Sequence, residues 1–366
     1  MDRDAQLGSP EVSVILPAHN AGPYLRESLW SISAQTFRDF EIIAVDDGST
    51  DETPQILREY ARVEPRLRII QQANRGGAAA RNVAVGAARA PLIAWMDADD
   101  IAVPERLELQ VDHLKQHPDH AVLGGWLECI DEGGRATGEV LRLPPDHDQI
   151  AAAMASAGSQ IADPTAMLRR DAFLNVGGYR PHLRTAYDFD LWLRLLPRSR
   201  FANLQRVLVR YRRHEQQTTR RAVTATVLIH FAAMKAYRDR QAGASDRLER
   251  WDGRIDEAAI ESLGLDPAQR AYAYALMVDD EATEPRRGIA PHGKARVLEL
   301  LWRTPLRGDI SSVGLRPLVG AARHFFTSGQ RLRALCFVAR LAACQPRQVV
   351  GALIRKSRRL APGHGK

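Results

Sequence analysis

Cysteine is scarce. Cys129, Cys336 and Cys344 are the only three in 366 residues. An odd number builds no paired disulfide framework, and none of them stands in a Cys-x-x-Cys pair of the kind that holds zinc. A reducing cytoplasm is therefore the expected setting. No apolar stretch approaches the roughly 20 residues needed to span a bilayer. Met1-Asp2-Arg3-Asp4 lacks the basic flank and apolar run of a secretory signal. The expectation is a soluble chain, or one that rests on a membrane surface. Aromatic residues make up only 6% and do not interleave with the basic residues near the end. That argues against the stacking platforms of single-strand nucleic-acid binders, and no nucleic-acid partner is expected. What the chain does have is apolar mass, 45% hydrophobic over a length that suggests about two domains. Its net charge of +7 favours an anionic partner without choosing one.

The first hundred residues alternate between two periods. Val12-Ser13-Val14-Ile15-Leu16-Pro17 is a β-branched run ended by proline and reads as a strand. Leu25, Leu29 and Ile32 follow at helical spacing. Glu41 to Val45 reads as strand two and runs into Asp46-Asp47-Gly48-Ser49-Thr50-Asp51. A helix carrying Ile56, Leu57 and Tyr60 comes next. Leu67 to Ile70 is strand three, Asn74-Arg75-Gly76-Gly77 opens an alanine-rich helix, and Pro91 to Ala94 leads into Trp95-Met96-Asp97-Ala98-Asp99-Asp100. Such an order predicts parallel strands with helical crossovers. Ligands of open α/β sheets sit outside the carboxyl ends of the strands. Three of those ends carry polar signatures: Pro17 to Asn20, Asp46-Asp47, and Asp97 to Asp100. One acidic triplet is usually a solvated turn or a helix cap. Three polar strand ends on one edge are a site. Carboxylates spaced two apart there suit a hard divalent cation and the phosphates it brings.

Val-Ser-Val-Ile-Leu-Pro-Ala-His-Asn, Glu-Ile-Ile-Ala-Val-Asp-Asp-Gly-Ser-Thr-Asp, Asn-Arg-Gly-Gly-Ala-Ala-Ala-Arg-Asn and Met-Asp-Ala-Asp-Asp, in that order over Val12 to Asp100, resemble the family 2 glycosyltransferases. These are inverting, metal-dependent enzymes of the GT-A fold. The resemblance implies that Pro17, Ala18 and Asn20 wrap a nucleotide. It gives Asp46 or Asp47 the hydrogen bond from the uracil ring nitrogen, which a carboxylate that only accepts can read. It sets Arg81 toward the nucleotide and Asp97 at the ribose. It makes Asp99 the ligand of a Mn²⁺ or Mg²⁺ ion bridging the two phosphates, where a Lewis acid offsets the charge of the departing diphosphate. Gly76 and Gly77 either cradle that diphosphate or make a plain turn.

The resemblance resumes downstream at Asp188-Phe189-Asp190-Leu191-Trp192, which the family writes as Glu-Asp-Tyr-Asp-Leu-Trp; here Tyr187 replaces the glutamate. It makes Asp188 the general base that takes the acceptor's proton, and Asp188 can also start the helix that follows. Asp190 reads as structural and Trp192 as core. Tyr211-Arg212-Arg213-His214 is similar to a closing motif whose histidine in some members ligates the metal or touches the diphosphate. Arg212, Arg213, Arg220 and Arg221 either fold over that diphosphate or form a solvated loop.

Past His214 no catalytic motif recurs. Helices are expected at Val227–Tyr237, Ile255–Leu263, Ala268–Met277, Lys294–Trp302, Leu332–Ala343 and Val349–Leu360, with a Pro/Gly loop at Glu284 to Gly288. From Arg331 on there are nine Lys or Arg (331, 333, 340, 347, 355, 356, 358, 359, 366) and no Asp or Glu. A basic amphipathic end is either a membrane-surface element or the solvated end of a helical cap.

The expected protein thus has an α/β GT-A domain at residues 1–220, a mostly parallel Rossmann-like sheet flanked by helices, and a mainly helical basic region at 221–366. The expected activity moves a sugar from a nucleotide-sugar donor, expected to be UDP-linked, to a hydroxyl of a saccharide or lipid-linked saccharide. Peripheral contact with an anionic membrane is one of the two readings open for the basic end. A sugar-nucleotide nucleotidyltransferase is the alternative enzyme, but Ala18-His19-Asn20-Ala21-Gly22 lacks the basic glycine-rich loop it needs. Asp97, Asp99 and Asp188 argue against a silent sugar- or nucleic-acid-binding protein.

Overall fold

The computed structural model describes residues 9–217, 223–253, 256–283, 294–307, 316–327 and 330–345. The chain divides into two compact units, Met1–Arg221 and Ala222–Lys366.

The first unit is built on one nine-stranded sheet in the order β3-β2-β1-β4-β8-β6-β9-β5, with β7 added to β6. Strands β1 (Val12–Ala18), β2 (Phe40–Asp47), β3 (Leu67–Gln72) and β4 (Leu92–Trp95) are mutually parallel, as the alternating order predicts. The other half mixes directions. β8 (Met167–Arg169) runs antiparallel to both β4 and β6 (His120–Ile130), and β6 runs parallel to β9 (Arg200–Arg212). β5 (Ile101–Ala102) and β7 (Ala136–Leu141) pair antiparallel with β9 and β6.

Nearly every residue of β1, β2 and β4 is buried, the pattern of parallel strands covered on both faces. On one face Val12, Val14, Leu16, Ile42 and Met96 pack with helix α1 (Gly22–Ser33) through Leu25, Leu29 and Ile32. Helices α2 (Thr53–Tyr60) and α4 (Arg106–Gln116) add Ile56, Leu57, Leu107 and Val111 to the same cluster. Helix α3 (Gly77–Ala87) lies against β1 and β2 through small residues, Ala80 and Ala84 being fully buried. Alanine there lets the helix approach closely, which sets its first turn beside the carboxyl ends of the strands. Helices α5 (His147–Ala157), α6 (Arg170–Asn175) and α7 (Tyr187–Leu195) complete this unit.

The second unit is helical among its described residues, at Val223–Gln241, Glu257–Ser262, Pro267–Thr283, Lys294–Arg303, Arg316–Thr327 and Arg331–Cys344. Five of these fall where periodicity places them. The helix at Arg316–Thr327 was not among those expected; it carries Pro317 in its first turn, where the missing N–H costs nothing. The predicted helix Val349–Leu360, the loop Glu284 to Gly288, and Arg220 and Arg221 lie outside the described residues. Among the described residues no helix is long and apolar enough to cross a membrane.

Candidate active site

The site forms where β1, β2 and β4 end. Asn20, in the left-handed region at φ 50°, closes β1. Its N–H donates to Ser49 Oγ at 3.0 Å, and its side-chain oxygen accepts from the Thr50 N–H at 2.8 Å. Those bonds tie the turns after β1 and β2 into one rim, with Ala18 buried and Pro17 half-buried beneath. Asp46 and Asp47 are both buried at the end of β2. Asp46 accepts from the Ser49 N–H at 3.0 Å. Asp47 accepts from Gln72 Nε2 and from the backbone N–H groups of Arg75 and Gly76, all within 2.8 Å. Asp47 thereby holds the Asn74–Gly77 turn that launches α3.

That turn admits two side chains the motifs did not reveal. Gly76 has φ 88°, and a Cβ on it would stand 2.7 Å from Arg184 Nη1. A Cβ on Gly77 would stand 2.8 Å from the Tyr187 hydroxyl. The glycines make room for side chains from the α7 region, a closer packing than a plain turn requires.

Arg81, on α3, is neither on the surface nor open to solvent. It is 3% exposed. Its guanidinium bonds the Asp97 carboxylate, donates to the Tyr187 hydroxyl at 2.6 Å and pairs with Asp163 at 3.3 Å. Tyr179 donates to the other Asp163 oxygen at 3.0 Å. Tyr187, standing where the family writes glutamate, thus offers Arg81 a neutral oxygen, and the two carboxylates come from Asp97 and Asp163. Burial pushes Asp163 up to about 7, opposed by Arg81 and reinforced by Asp188 and Asp97. Sequence reading gave Asp163, Tyr179 and Arg184 no role in the site. β8, inserted antiparallel beside β4, carries the turn Asp163–Thr165 to that strand end.

The turn after β4 is fixed through its backbone. The Asp97 carbonyl accepts from Ser28 Oγ at 3.1 Å and from the Asp100 N–H at 3.3 Å. The Asp99 carbonyl accepts from Arg212 Nε at 2.8 Å. The carboxylates of Asp97 and Asp99 keep 29% and 28% exposure, so solvent and ligands reach them. Asp100 caps no helix. It is fully buried, accepts the Arg212 N–H at 2.8 Å, and its second oxygen has no hydrogen-bond partner among the described residues. Burial, with Asp99 and Asp97 beside it, pushes its carboxyl well above the usual range.

His214 lies against this turn, its Nε2 2.9 Å from Asp99 Oδ2 and its ring 4.9 Å from that of Tyr24. Arg212 turns inward to Glu27, the Glu132 carbonyl and the Asp99 carbonyl, while Arg213 pairs with Glu139 at 2.6 Å. These two arginines therefore brace the site's frame.

The carboxylate oxygens of Asp97, Asp99 and Asp100 lie within 4.8 Å of one another. An all-oxygen set with one buried, unpartnered oxygen fits Mg²⁺ or Mn²⁺.

Asp188 is the second residue of α7, half-buried, following Ala186 in the left-handed conformation. Burial raises its pKa; its own helix N-terminal N–H groups and Arg81 pull the other way, and Asp97 adds to the rise. Asp190, two residues on, is fully buried against Arg194 and Arg180, and Trp192 is core. The structure thus brings Asp97, Asp99, Asp188, Arg81 and His214 to one region of the sheet edge, with Asp46, Asp47 and Asn20 along the adjoining rim.

Comparison with known proteins agrees with this geometry. The profile of Glycosyl transferase family 2 matches residues 13–177. EpsE of Bacillus subtilis (strain 168) is 34% identical over 223 residues, 60% of this chain and 78% of its own. The O-antigen biosynthesis glycosyltransferase WbnJ of Escherichia coli is 32% identical, over 58% of this chain and 83% of its own. Among solved structures, S. aureus TarS 1-349 in complex with UDP-GlcNAc aligns over 92% of each chain with a TM-score of 0.54 at 17% identity, a likeness of fold. A GT-A-like sheet ending in these motifs, joined to close relatives of one kind, leaves one reading: the chain belongs to the family 2 glycosyltransferases and transfers a sugar from a nucleotide-sugar donor.

Proposed function

We propose that the donor is a UDP-sugar, that transfer inverts the anomeric centre, and that the acceptor is a hydroxyl of a saccharide or lipid-linked saccharide. The observation that carries this reading is that Arg81 binds Asp97 and lies within electrostatic reach of Asp188, with Asp99 beside Asp97 and the buried Asp46-Asp47 pair on the same rim. The rim from Pro17 to Asn20 and the Asp46-Asp47 pair receive the nucleoside, one of the two carboxylates accepting from the uracil N–H. Asp97 holds the ribose while Arg81 fixes the Asp97 carboxylate. Asp99, with His214 beside it, would hold Mn²⁺ or Mg²⁺, which supplies positive charge to the departing diphosphate. Asp188 takes the acceptor's proton as that oxygen bonds the anomeric carbon and the carbon–phosphate oxygen bond breaks. The nucleoside diphosphate leaves with the bonding pair, and a single displacement gives inversion. WbnJ's role in O-antigen biosynthesis and TarS's UDP-GlcNAc complex support a UDP-sugar and a surface-polysaccharide acceptor.

A thermal-shift screen tests the donor. UDP or a UDP-sugar at a hundredfold its Kd, with Mn²⁺, adds about 2.7 kcal/mol to the native state. For a unit of this size that raises the melting temperature by roughly 5–10 °C. GDP and ADP should shift it less, and equal shifts by all three nucleotides would remove the uridine assignment.

Peripheral contact with an anionic membrane belongs to the same proposal. The helix Arg331–Cys344 buries Ala334, Phe337 and Leu341 but exposes Leu332, Leu335 and Val338 by 76%, 66% and 50%. Arg333 and Arg340 turn to Glu299 and to the Trp302 and Thr304 carbonyls, leaving this outward stripe apolar. With nine basic and no acidic residues from Arg331 on, the occupant that fits is an anionic lipid surface. Leu332→Glu, Leu335→Glu and Val338→Glu together should lower co-sedimentation with phosphatidylglycerol-containing vesicles by on the order of tenfold. An unchanged bound fraction would remove the stripe as the contact.

A further inference from the structure

Three histidines meet at the far end of α4. His113 and His117 are one helical turn apart on the same face, and His120 opens β6. Their ring centroids lie 4.4, 4.9 and 5.2 Å from one another, and His117 and His120 stack at 15°, so joint ligation of one ion turns one of these rings about its Cβ–Cγ bond. Asp119 stands between the last two in sequence, and one ligand atom from each of His117, Asp119 and His120 lies within 4.8 Å of the others. The segment is held in place from below. Arg169 donates to the His120 carbonyl at 3.0 Å and to the Leu114 carbonyl at 2.9 Å, and the His120 N–H closes on the His117 carbonyl at 3.1 Å. Because Arg169 pairs with Leu92, the first residue of β4, the cluster sits at the sheet edge opposite the one that carries Asp97.

We propose that His117, Asp119 and His120 form a second metal site, for Zn²⁺ or another transition-metal ion that prefers nitrogen, with His113 as its positioning residue. Two imidazoles and a carboxylate are a zinc donor set with the fourth place left to water. The set differs in kind from the all-oxygen cluster at Asp97, Asp99 and Asp100, so the two sites select different ions. His113 Nε2 lies 3.0 Å from His120 Nδ1. With His120 Nδ1–H donating to His113, the lone pair of His120 Nε2 is free for the ion, the arrangement by which outer partners fix a ligating imidazole. His117 and Asp119 are exposed and His120 half-buried, so an ion reaches them from solvent. Among the described residues Asp119 exchanges only an exposed 3.5 Å pair with Arg200, and such pairs stabilise little.

The test is calorimetric titration of Zn²⁺ into the untagged full chain in excess Mg²⁺, which occupies the oxygen site. One Zn²⁺ per chain is expected. The double variant His117→Ala with His120→Ala should lose that affinity by on the order of a hundredfold or more, and His113→Gln should weaken it about tenfold at unchanged stoichiometry. Co²⁺ added to the wild-type protein under the same conditions gives a reading that needs no variant, the visible absorption of a nitrogen-ligated ion of low symmetry. Equal Zn²⁺ binding by the double variant, or no Zn²⁺ heat and no Co²⁺ band in the wild type, would overturn the site.

Discussion

Asp188→Asn is expected to lower turnover by on the order of a hundredfold or more while donor binding stays near that of the wild type. Asparagine keeps the shape and the acceptor oxygen that faces the first N–H groups of α7, and it caps helices as well as aspartate does. It cannot take a proton. The substitution therefore separates the two roles open to this position, because a residue that only starts α7 would lose nothing. Burial raises the Asp188 pKa, and a carboxyl acting as the proposed base must be ionised to take a proton. The acid limb of kcat should accordingly lie above the ordinary aspartate range. The stability consequence has the opposite sign. A carboxyl whose folded pKa is raised stabilises the fold fully below its unfolded pKa and loses that contribution as pH rises through the folded one. At neutral pH the asparagine variant should thus melt no lower than the wild type. Turnover near that of the wild type, measured as nucleotide release, would remove Asp188 as the base.

How much of this was legible in sequence varies with what each residue touches. β1 to β4 were legible because each is a short apolar run closed by polar residues, and the fold puts those closures on one edge. Asp99, Asp97 and Asp188 were legible as motif members. The partners of Arg81 were not. Its network draws on Tyr187 and Asp163, which are distant in sequence and arrive through α7 and through β8 inserted beside β4. No local period encodes such a meeting. Gly77 read as a diphosphate cradle or a plain turn, and only the structure shows that the room it leaves is taken by the Tyr187 hydroxyl. Arg212 misled for the opposite reason. In sequence it belongs to a basic run, and in the fold it is 1% exposed and spends its donors on the Asp99 carbonyl, the Glu132 carbonyl and Glu27. Charge patterning reports composition. It does not report which way a side chain at the end of β9 turns.

Asp99→Ala should abolish the metal-dependent part of UDP binding, a loss on the order of a hundredfold or more in Mn²⁺-containing buffer. The variant is a clean one because of how the turn is built. Arg212 grips the Asp99 backbone carbonyl, which alanine retains, and Asp100 rather than Asp99 receives the Arg212 N–H. What alanine deletes is one partly exposed carboxylate and its 2.9 Å contact with His214 Nε2. Asp100 offers no such separation. Removing its buried carboxylate would strand the Arg212 N–H, at a cost of about 1–3 kcal/mol to the fold itself. On the proposed reading, UDP binding without metal rests on the Asn20 rim, the Asp46-Asp47 pair and Asp97, all untouched in Asp99→Ala. Calorimetry in chelator should therefore give the same weak affinity for variant and wild type, and the two should diverge only when Mn²⁺ is added. If both respond alike to Mn²⁺, the ion is not held by Asp99, and the diphosphate charge must be met by other groups on this edge.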